Sequence, residues 1–262
     1  MKLICLNIWG GKIHDKLLDF IKEKAIDTDI FCFQENFSSP IFKLLTFDTR
    51  SNIHEEICKI LPQFQFFYYP TLVGEELRKS VNFPLSHGQV TFVRKDLKVL
   101  SSGEIYVYRE KNKMGPRYEG GEPDFPKNFI YTKIEANGKP FLVLNIHGFW
   151  NKARKTDTPQ RFKQSQIILD FIEKESLPVV LAGDFNLRIE NKSLTMLEDA
   201  GLRNLVKEYN FPTTRSSLYD IKWLRVDPFA DYIFTKGVLV KDFKVLNDEI
   251  SDHLPLYLDF IL

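Results

Sequence analysis

Cysteine is scarce in this chain. Three residues among 262, Cys5, Cys32 and Cys58, are odd in number and widely spaced, which excludes a disulfide framework. No Cys-x-x-Cys pair occurs, so a structural zinc site is not expected. Cys5 and Cys32 stand in apolar runs and read as small core residues. Neither sign of charge dominates: 36 Lys and Arg face 35 Asp and Glu, a formal +1. There is thus no global positive field to draw in nucleic acid, and any such affinity must come from a local patch. No apolar run is long enough to span a bilayer. Met1–Gly11 has one early lysine and a short apolar stretch, not the longer core and small-residue cleavage site of an export signal. A cytoplasmic location and a monomer are the expectations. Repeats, low-complexity tracts and linker-like stretches are missing as well.

What is present is globular. Hydrophobic residues make up 44% and charged residues 27%, and 23 phenylalanines promise a core rich in rings. Strand-like runs occur at 2–8, 29–33, 64–69, 89–94, 104–109, 128–134, 140–146, 178–182, 231–235, 238–246 and 255–261. Helical spacing appears at 15–26, in part of 40–59, after the Thr158-Pro159 start, and at 193–200 before Gly201. Asn137-Gly138 signals a hairpin turn. The aromatic run FQFFYY at 64–69 reads as a core strand, with a base-stacking platform as the sharper alternative. Strand signals outnumber helix signals along the whole length. Two β layers with helices outside would bury such strands on both faces, so one α/β domain over 1–262 is expected.

The informative feature is what ends the apolar strands. A strand buried on both faces has no packing reason to end in Asn, Glu, His or Asp. Yet such ends recur at Asn7, Gln34-Glu35, Asn145 to His147, Asp184 to Asn186, Asp231, and Ser251 to His253. Each alone has a plain reading. Asp184 and Asn186 fit an Asx turn, Asn7 a turn cap, His147 a structural hydrogen bond, and Asp252-His253 a surface loop.

Taken in order, LNIWGG at 6–11, QE at 34–35, NIHG at 145–148, GDFN at 183–186, DYIF at 231–234 and SDHLP at 251–255 resemble the endonuclease/exonuclease/phosphatase superfamily of metal-dependent phosphodiesterases. The resemblance implies a four-layer α/β/β/α sandwich, two packed mixed β-sheets flanked by helices. It implies a divalent metal, Mg²⁺ with Mn²⁺ as a substitute, and attack of water on a phosphate ester. Glu35 would supply the charged metal ligand, Asn7 a neutral oxygen, and Asp252 a further carboxylate. Such hard oxygen donors suit Mg²⁺. Asp184 would orient or deprotonate the water, and Asn186 would donate to a phosphate oxygen, with Phe185 anchoring the loop. His147 and His253 would contact the phosphate from opposite sides, and Asp231 would hold the His253 tautomer.

Two departures bear on the branch. Trp9 stands where exonuclease III-like enzymes usually carry an acidic or amide residue, and His147 where they use tyrosine. The Asn-x-His pattern looks more like deoxyribonuclease I-like, sphingomyelinase-like and tyrosyl-DNA phosphodiesterase-like members. A phosphodiester in nucleic acid is the first substrate expected, a lipid or inositol phosphate the second, and a non-catalytic binding scaffold the rival of another class. Lys152, Arg154, Lys155, Arg161 and Lys163 form the best basic cluster, read either as a solubilising flank or as phosphate-backbone contacts. The segment 110–127, with Lys111, Lys113, Arg117 and Lys127 among Glu110, Glu119, Glu122 and Asp124, reads as a solvated loop or a lid. Trp150 and Trp223 read as core packing rather than stacking platforms. Arg215 stands outside the core set.

Overall fold

The structure is a computed structural model that describes residues 1–76, 79–115, 124–150 and 155–262, with Trp223 described in its backbone alone. In chain order, β1 (Lys2–Asn7) leads to α1 (His14–Lys24) and β2 (Ile30–Ser38). Then come α2 (Ile53–Ile60), β3 (Phe64–Val73), the short β4 (Glu75–Glu76) and β5 (Lys79–Ser80), β6 (Ser86–Arg94) and β7 (Lys98–Tyr108). The second half runs β8 (Lys127–Ala136), β9 (Lys139–His147), α3 (Pro159–Glu175), β10 (Val179–Asp184) and α4 (Lys192–Asp199). It closes with β11 (Arg203–Asn204), α5 (Leu205–Glu208), α6 (Ile221–Leu224), β12 (Asp231–Lys236), β13 (Leu239–Val245) and β14 (Leu256–Ile261).

Two mixed sheets result, ordered β13-β14-β1-β2-β6-β3 and β11-β12-β10-β9-β8-β7. Each has one parallel pair, β1 with β2 and β10 with β9, among antiparallel neighbours. Strand alternation sorts the side chains by layer. Leu3 and Cys5 of β1 join the core between the sheets, while Ile4 and Leu6 turn outward. There they meet Leu17, Phe20 and Ile21 of α1 and Ile53 and Ile57 of α2. Ile168 and Phe171 of α3 and Leu194 and Leu197 of α4 cover the second sheet. The expected four-layer sandwich is the observed one. Cys5 and Cys32 are buried.

Local chemistry explains several boundaries. The Thr158 side chain accepts from the Arg161 amide, Pro159 fills the first helical position, and Ser176 ends α3 in the left-handed conformation. Asn137 and Gly138, both at positive φ, turn β8 into β9. The 40–59 segment is helical in part, as expected: α2 begins at Ile53, after Phe47 and Asp48 take positive φ. Other expectations change. β3 is an edge strand, with Phe64 buried but Phe66 exposed. Lys127 opens β8 rather than closing a loop, whereas Arg117, Glu119 and Glu122 lie outside the described residues.

One glycine fixes the geometry of the central strand. Gly183 has φ +148°, and a Cβ there would lie 2.0 Å from the Ile146 carbonyl oxygen. The two strands meet too closely for any side chain. Gly183→Ala is expected to cost about 3 kcal/mol, from overpacking and backbone strain. A fall in the urea midpoint at constant m-value checks it; an unchanged midpoint would refute the close approach.

Candidate active site

The strand ends gather at one end of the sandwich. In the second sheet, Asp184 at the end of β10 is in register with His147 on β9 and with Asp231 on β12. Three site residues thus stand side by side across three strands. Asn7 ends β1 in the other sheet, and its Nδ2 donates to Glu35 Oε1 at 3.0 Å and across the sheets to Asp184 Oδ2 at 3.1 Å. Ser251 Oγ donates to the Asn7 carbonyl and ties the 251–253 segment to the same point. Asp184 Oδ2 is the hub: His147 Nε2 lies 3.9 Å away and His253 Nε2 3.8 Å.

Some backbone at the site is held where non-glycine residues rarely go. Trp9, Glu35 and Asn186 have φ of 50°, 56° and 54°. The pairing of β2 with β6 is irregular between Phe33 and Asn36, where Glu35 stands. Asn186 is turned by its own neighbour, since its amide donates to Asp184 Oδ1 at 2.8 Å. Phe185 between them is buried against Tyr232 and Phe234. Such backbone also occurs in turns elsewhere, as at Asn137 and Ser176, but at these three positions it aims site side chains.

Electrostatics divide the two histidines. His253 Nδ1 lies 2.7 and 2.9 Å from the two Asp231 oxygens. Burial and the Arg215 charge push its pKa down, but Asp231, Asp252 and Asp184 outweigh them and hold it above the ordinary histidine value. His147 goes the other way: burial and the neighbouring Lys127 ammonium push it well below. Asp184 is buried, which alone would raise its pKa. His253, His147, Arg215 and Lys155 overcome this and hold it far below the usual carboxylate range. Glu35 is pushed up by burial and by the charge of Asp252, against the Asn7 hydrogen bond.

A cavity of about 750 Å³ opens over this centre, its wall including Glu35, His147, Asp184, Asn186, Asp252 and His253. A divalent ion is compatible with the donors present. The carboxylate oxygens of Glu35, Asp184 and Asp252 are hard, whereas Asn7 turns Nδ2 to Glu35 and Asp184 and its Oδ1 accepts from the Trp9 amide at 3.0 Å, so its amide would flip to offer an oxygen. Asp184, Asp231 and His253 also bring ligand atoms within 4.8 Å of one another. Both oxygens of Asp231 are already engaged on His253 Nδ1, so that trio is built as a hydrogen-bonded dyad beside a carboxylate.

A family model described as Endonuclease/Exonuclease/phosphatase family matches residues 4–253. The chain belongs to this family. Members of the endonuclease/exonuclease/phosphatase family are phosphoric ester hydrolases. A UPF0294 protein of Vibrio campbellii is 27% identical over 164 residues, covering 62% of this chain and 55% of the relative. A phospholipase C of Staphylococcus aureus is 26% identical over 156 residues, covering 51% and 44%. The chain spans about half the length of the curated relatives it matches. Among solved structures, a mannosyl-6-phosphatase of Bacteroides thetaiotaomicron superposes with TM-score 0.73 at 16% identity, covering 100% of both chains. A humanized D. rerio TDP2 gives 0.66 at 16% identity, covering 100% of this chain and 99% of that one. These likenesses show the family's fold.

The structure brings Glu35, His147, Asp184, Asn186, Asp252 and His253 to the wall of this cavity, with Asn7 and Asp231 bonded directly behind them. Gln34 and Asn145 it does not: they bond to each other at 2.6 Å, buried between the sheets behind the site. Other residues enter that sequence reasoning passed over. Lys127 Nζ lies 3.0 Å from His147 Nε2. Lys155 and Arg161, read as surface cations, are buried. Lys155 Nζ donates to the carbonyls of Asp227 and Phe229, lines the cavity, and has its pKa pushed down to about 7 by burial and Arg215. Arg161 donates to the carbonyls of Thr156 and Phe149. Lys163 is exposed, while Lys152 and Arg154 lie outside the described residues. Trp150 is not core: it is 45% exposed on the cavity wall. Among the described residues no helix is long and apolar enough to cross a membrane.

Proposed function

We propose that this chain is a divalent-metal-dependent hydrolase that cleaves phosphodiesters by attack of water. The observation that carries the reading is the convergence of Asn7, His147 and His253 on the buried Asp184 Oδ2. Glu35, Asn7 and Asp252 would hold the ion, Mg²⁺ by donor chemistry, with Mn²⁺ as a substitute. When bound it neutralises charge on the phosphate oxygens. Asp184 accepts a hydrogen bond from the attacking water and orients it. Asn186 Nδ2, held loosely at 3.4 Å from the Gly148 carbonyl, turns to donate to a phosphate oxygen. His253, aligned by Asp231, accepts from Arg215 at Nε2 in this arrangement, and donates from Nε2 as negative charge builds once that contact is released. On the opposite side the picture differs from the sequence expectation. A lysine ammonium can only donate, so His147 Nε2 accepts from Lys127 and carries no proton in this arrangement. The donor on that side is Lys127.

Among diesters, the described part of the basic cluster gives nucleic acid no specific support: Lys155 and Arg161 are buried and donate to backbone carbonyls. A specific feature favours the second reading, a lipid phosphodiester. Ile41, Phe42, Leu44 and Phe47 are exposed on one short segment, and Phe47 also lines the cavity. An apolar patch bordering a phosphate site suits an interfacial substrate. The expected outcome of a panel with added Mg²⁺ is release of headgroup phosphate from phosphatidylcholine or sphingomyelin vesicles. Phe42→Glu with Leu44→Glu should reduce that activity about 10-fold or more and leave soluble bis-p-nitrophenyl phosphate turnover intact. Cleavage of DNA or RNA oligonucleotides in preference to vesicles would return the assignment to nucleic acid. A folded chain inert on every ester would favour a binding scaffold.

A further inference from the structure

Arg215 is held at the site by the same backbone contacts that position Asp252, His253 and Asp231. The segments 214–216 and 252–254 are zipped together. Leu254 N donates to the Thr214 carbonyl at 2.9 Å, Ser216 N to the Asp252 carbonyl at 3.2 Å, and Arg215 forms a bridge with His253. Thr214 Oγ1 accepts from the amides of Ala230 and Asp231, which locks the same segment to the start of β12. The residue between these anchors projects its side chain into the catalytic cavity.

Once there, the guanidinium is only partly used. Nη1 donates to Asp252 Oδ2 at 3.0 Å and to His253 Nε2 at 2.5 Å. Nε is buried with no hydrogen-bond partner. The plane lies over Tyr219, whose ring centroid is 4.2 Å from Cζ, and Lys155 Nζ flanks the same ring at 5.4 Å. A buried arginine that served only to pair with Asp252 would not need to cover His253 Nε2, the atom that faces Asp184 across the reaction centre. Because Nη1 and Nε2 are 2.5 Å apart, any oxygen placed beside Nε2 is also within reach of Nη1. Guanidinium presents its donors in a planar fork that fits two oxygens of a phosphate, and it retains its charge when buried.

We propose that Arg215 is a catalytic phosphate-binding residue, which leaves His253 Nε2 when substrate enters and clamps a non-bridging oxygen of the scissile phosphate. The Tyr219 ring holds the guanidinium over the cavity as it shifts. The inference rests on the phosphodiesterase reading for its substrate, but the contact itself is with the phosphate group.

The test is Arg215→Ala, assayed with bis-p-nitrophenyl phosphate and Mg²⁺, with and without methylguanidine. Loss of one preorganised donor to the transition state should lower kcat about 10²-fold or more. Methylguanidine should restore about 10-fold of that loss, and ethylammonium should not, since only the former reproduces the fork. A variant within about 3-fold of wild type would overturn the proposal, as would a loss that methylguanidine does not relieve. The second outcome would make Arg215 a structural support of Asp252. Should Arg215→Ala fail to fold, Arg215→Lys and equilibrium binding of inorganic phosphate carry the test. Affinity about 10-fold weaker at an unchanged melting temperature supports the clamp, and unchanged affinity overturns it. Phosphate binding needs no turnover, so a chain that hydrolyses no diester would defeat the functional reading and still leave the Arg215 contact measurable.

Discussion

Asp184→Asn is expected to lower kcat on bis-p-nitrophenyl phosphate by about 10³-fold or more, with a smaller change in KM. The substitution preserves shape and removes charge. In the native site Asp184 remains ionised although buried, because His253, His147, Arg215 and Lys155 surround it. An amide there neither balances the charges of His253, Arg215 and Lys155 nor accepts a water proton. It also places an NH₂ or a carbonyl oxygen against Asn7 Nδ2, which donates to that position at 3.1 Å. If its one oxygen stays on the Asn186 amide, the loop retains its turn and the NH₂ faces Asn7 Nδ2, donor against donor. Initial rates at saturating metal, with circular dichroism as a check on folding, measure the effect. Activity within a few-fold of wild type would remove Asp184 from the chemistry.

The second large effect belongs to the dyad. Asp231→Asn should reduce kcat by about 10²-fold or more, because it frees the His253 ring to adopt the wrong tautomer. It should also move the pH profile in a defined direction. Asp231 is the leading contributor to raising His253 above its ordinary value, against burial and Arg215. Activity that needs a protonated His253 falls as pH rises through that pKa. Removing Asp231 lowers the pKa, so the alkaline limb of kcat/KM should shift to lower pH. His147 is pushed well below the ordinary range and should contribute no limb near neutrality. An alkaline limb that stays in place in Asp231→Asn would show that His253 does not titrate in the reaction.

Much of this was legible in the sequence because strands advertise themselves twice, by apolar runs and by what ends them. The order of β1, β2, β9, β10, β12 and β14 follows from those runs, and the polar residues at their ends are the ones that meet. Gly183 marks the close approach that positions Asp184. What could not be read was conformation and partnership. Nothing in the identity of Trp9, Glu35 or Asn186 announces a positive φ, which tertiary packing imposes. Lys155 and Arg161 read as surface charge because most cations are exposed. They are buried here because backbone carbonyls distant in sequence receive their donors, as when Lys155 reaches Asp227 and Phe229. Lys127 and Arg215 sit in segments without periodicity, so only the fold brings them to the two histidines. Gln34 and Asn145 show the reverse: polar strand ends that pair with each other instead of facing the site.

The claim on which all of this rests is that side chains from both sheets make one ion-holding centre for a phosphate. Anomalous diffraction from crystals grown with Mn²⁺ tests it most directly. The account predicts a single strong peak in contact with Glu35 and within reach of Asp252 and Asn7. A peak held by Asp231 and His253 would contradict it, as would well-ordered crystals with no manganese at Glu35.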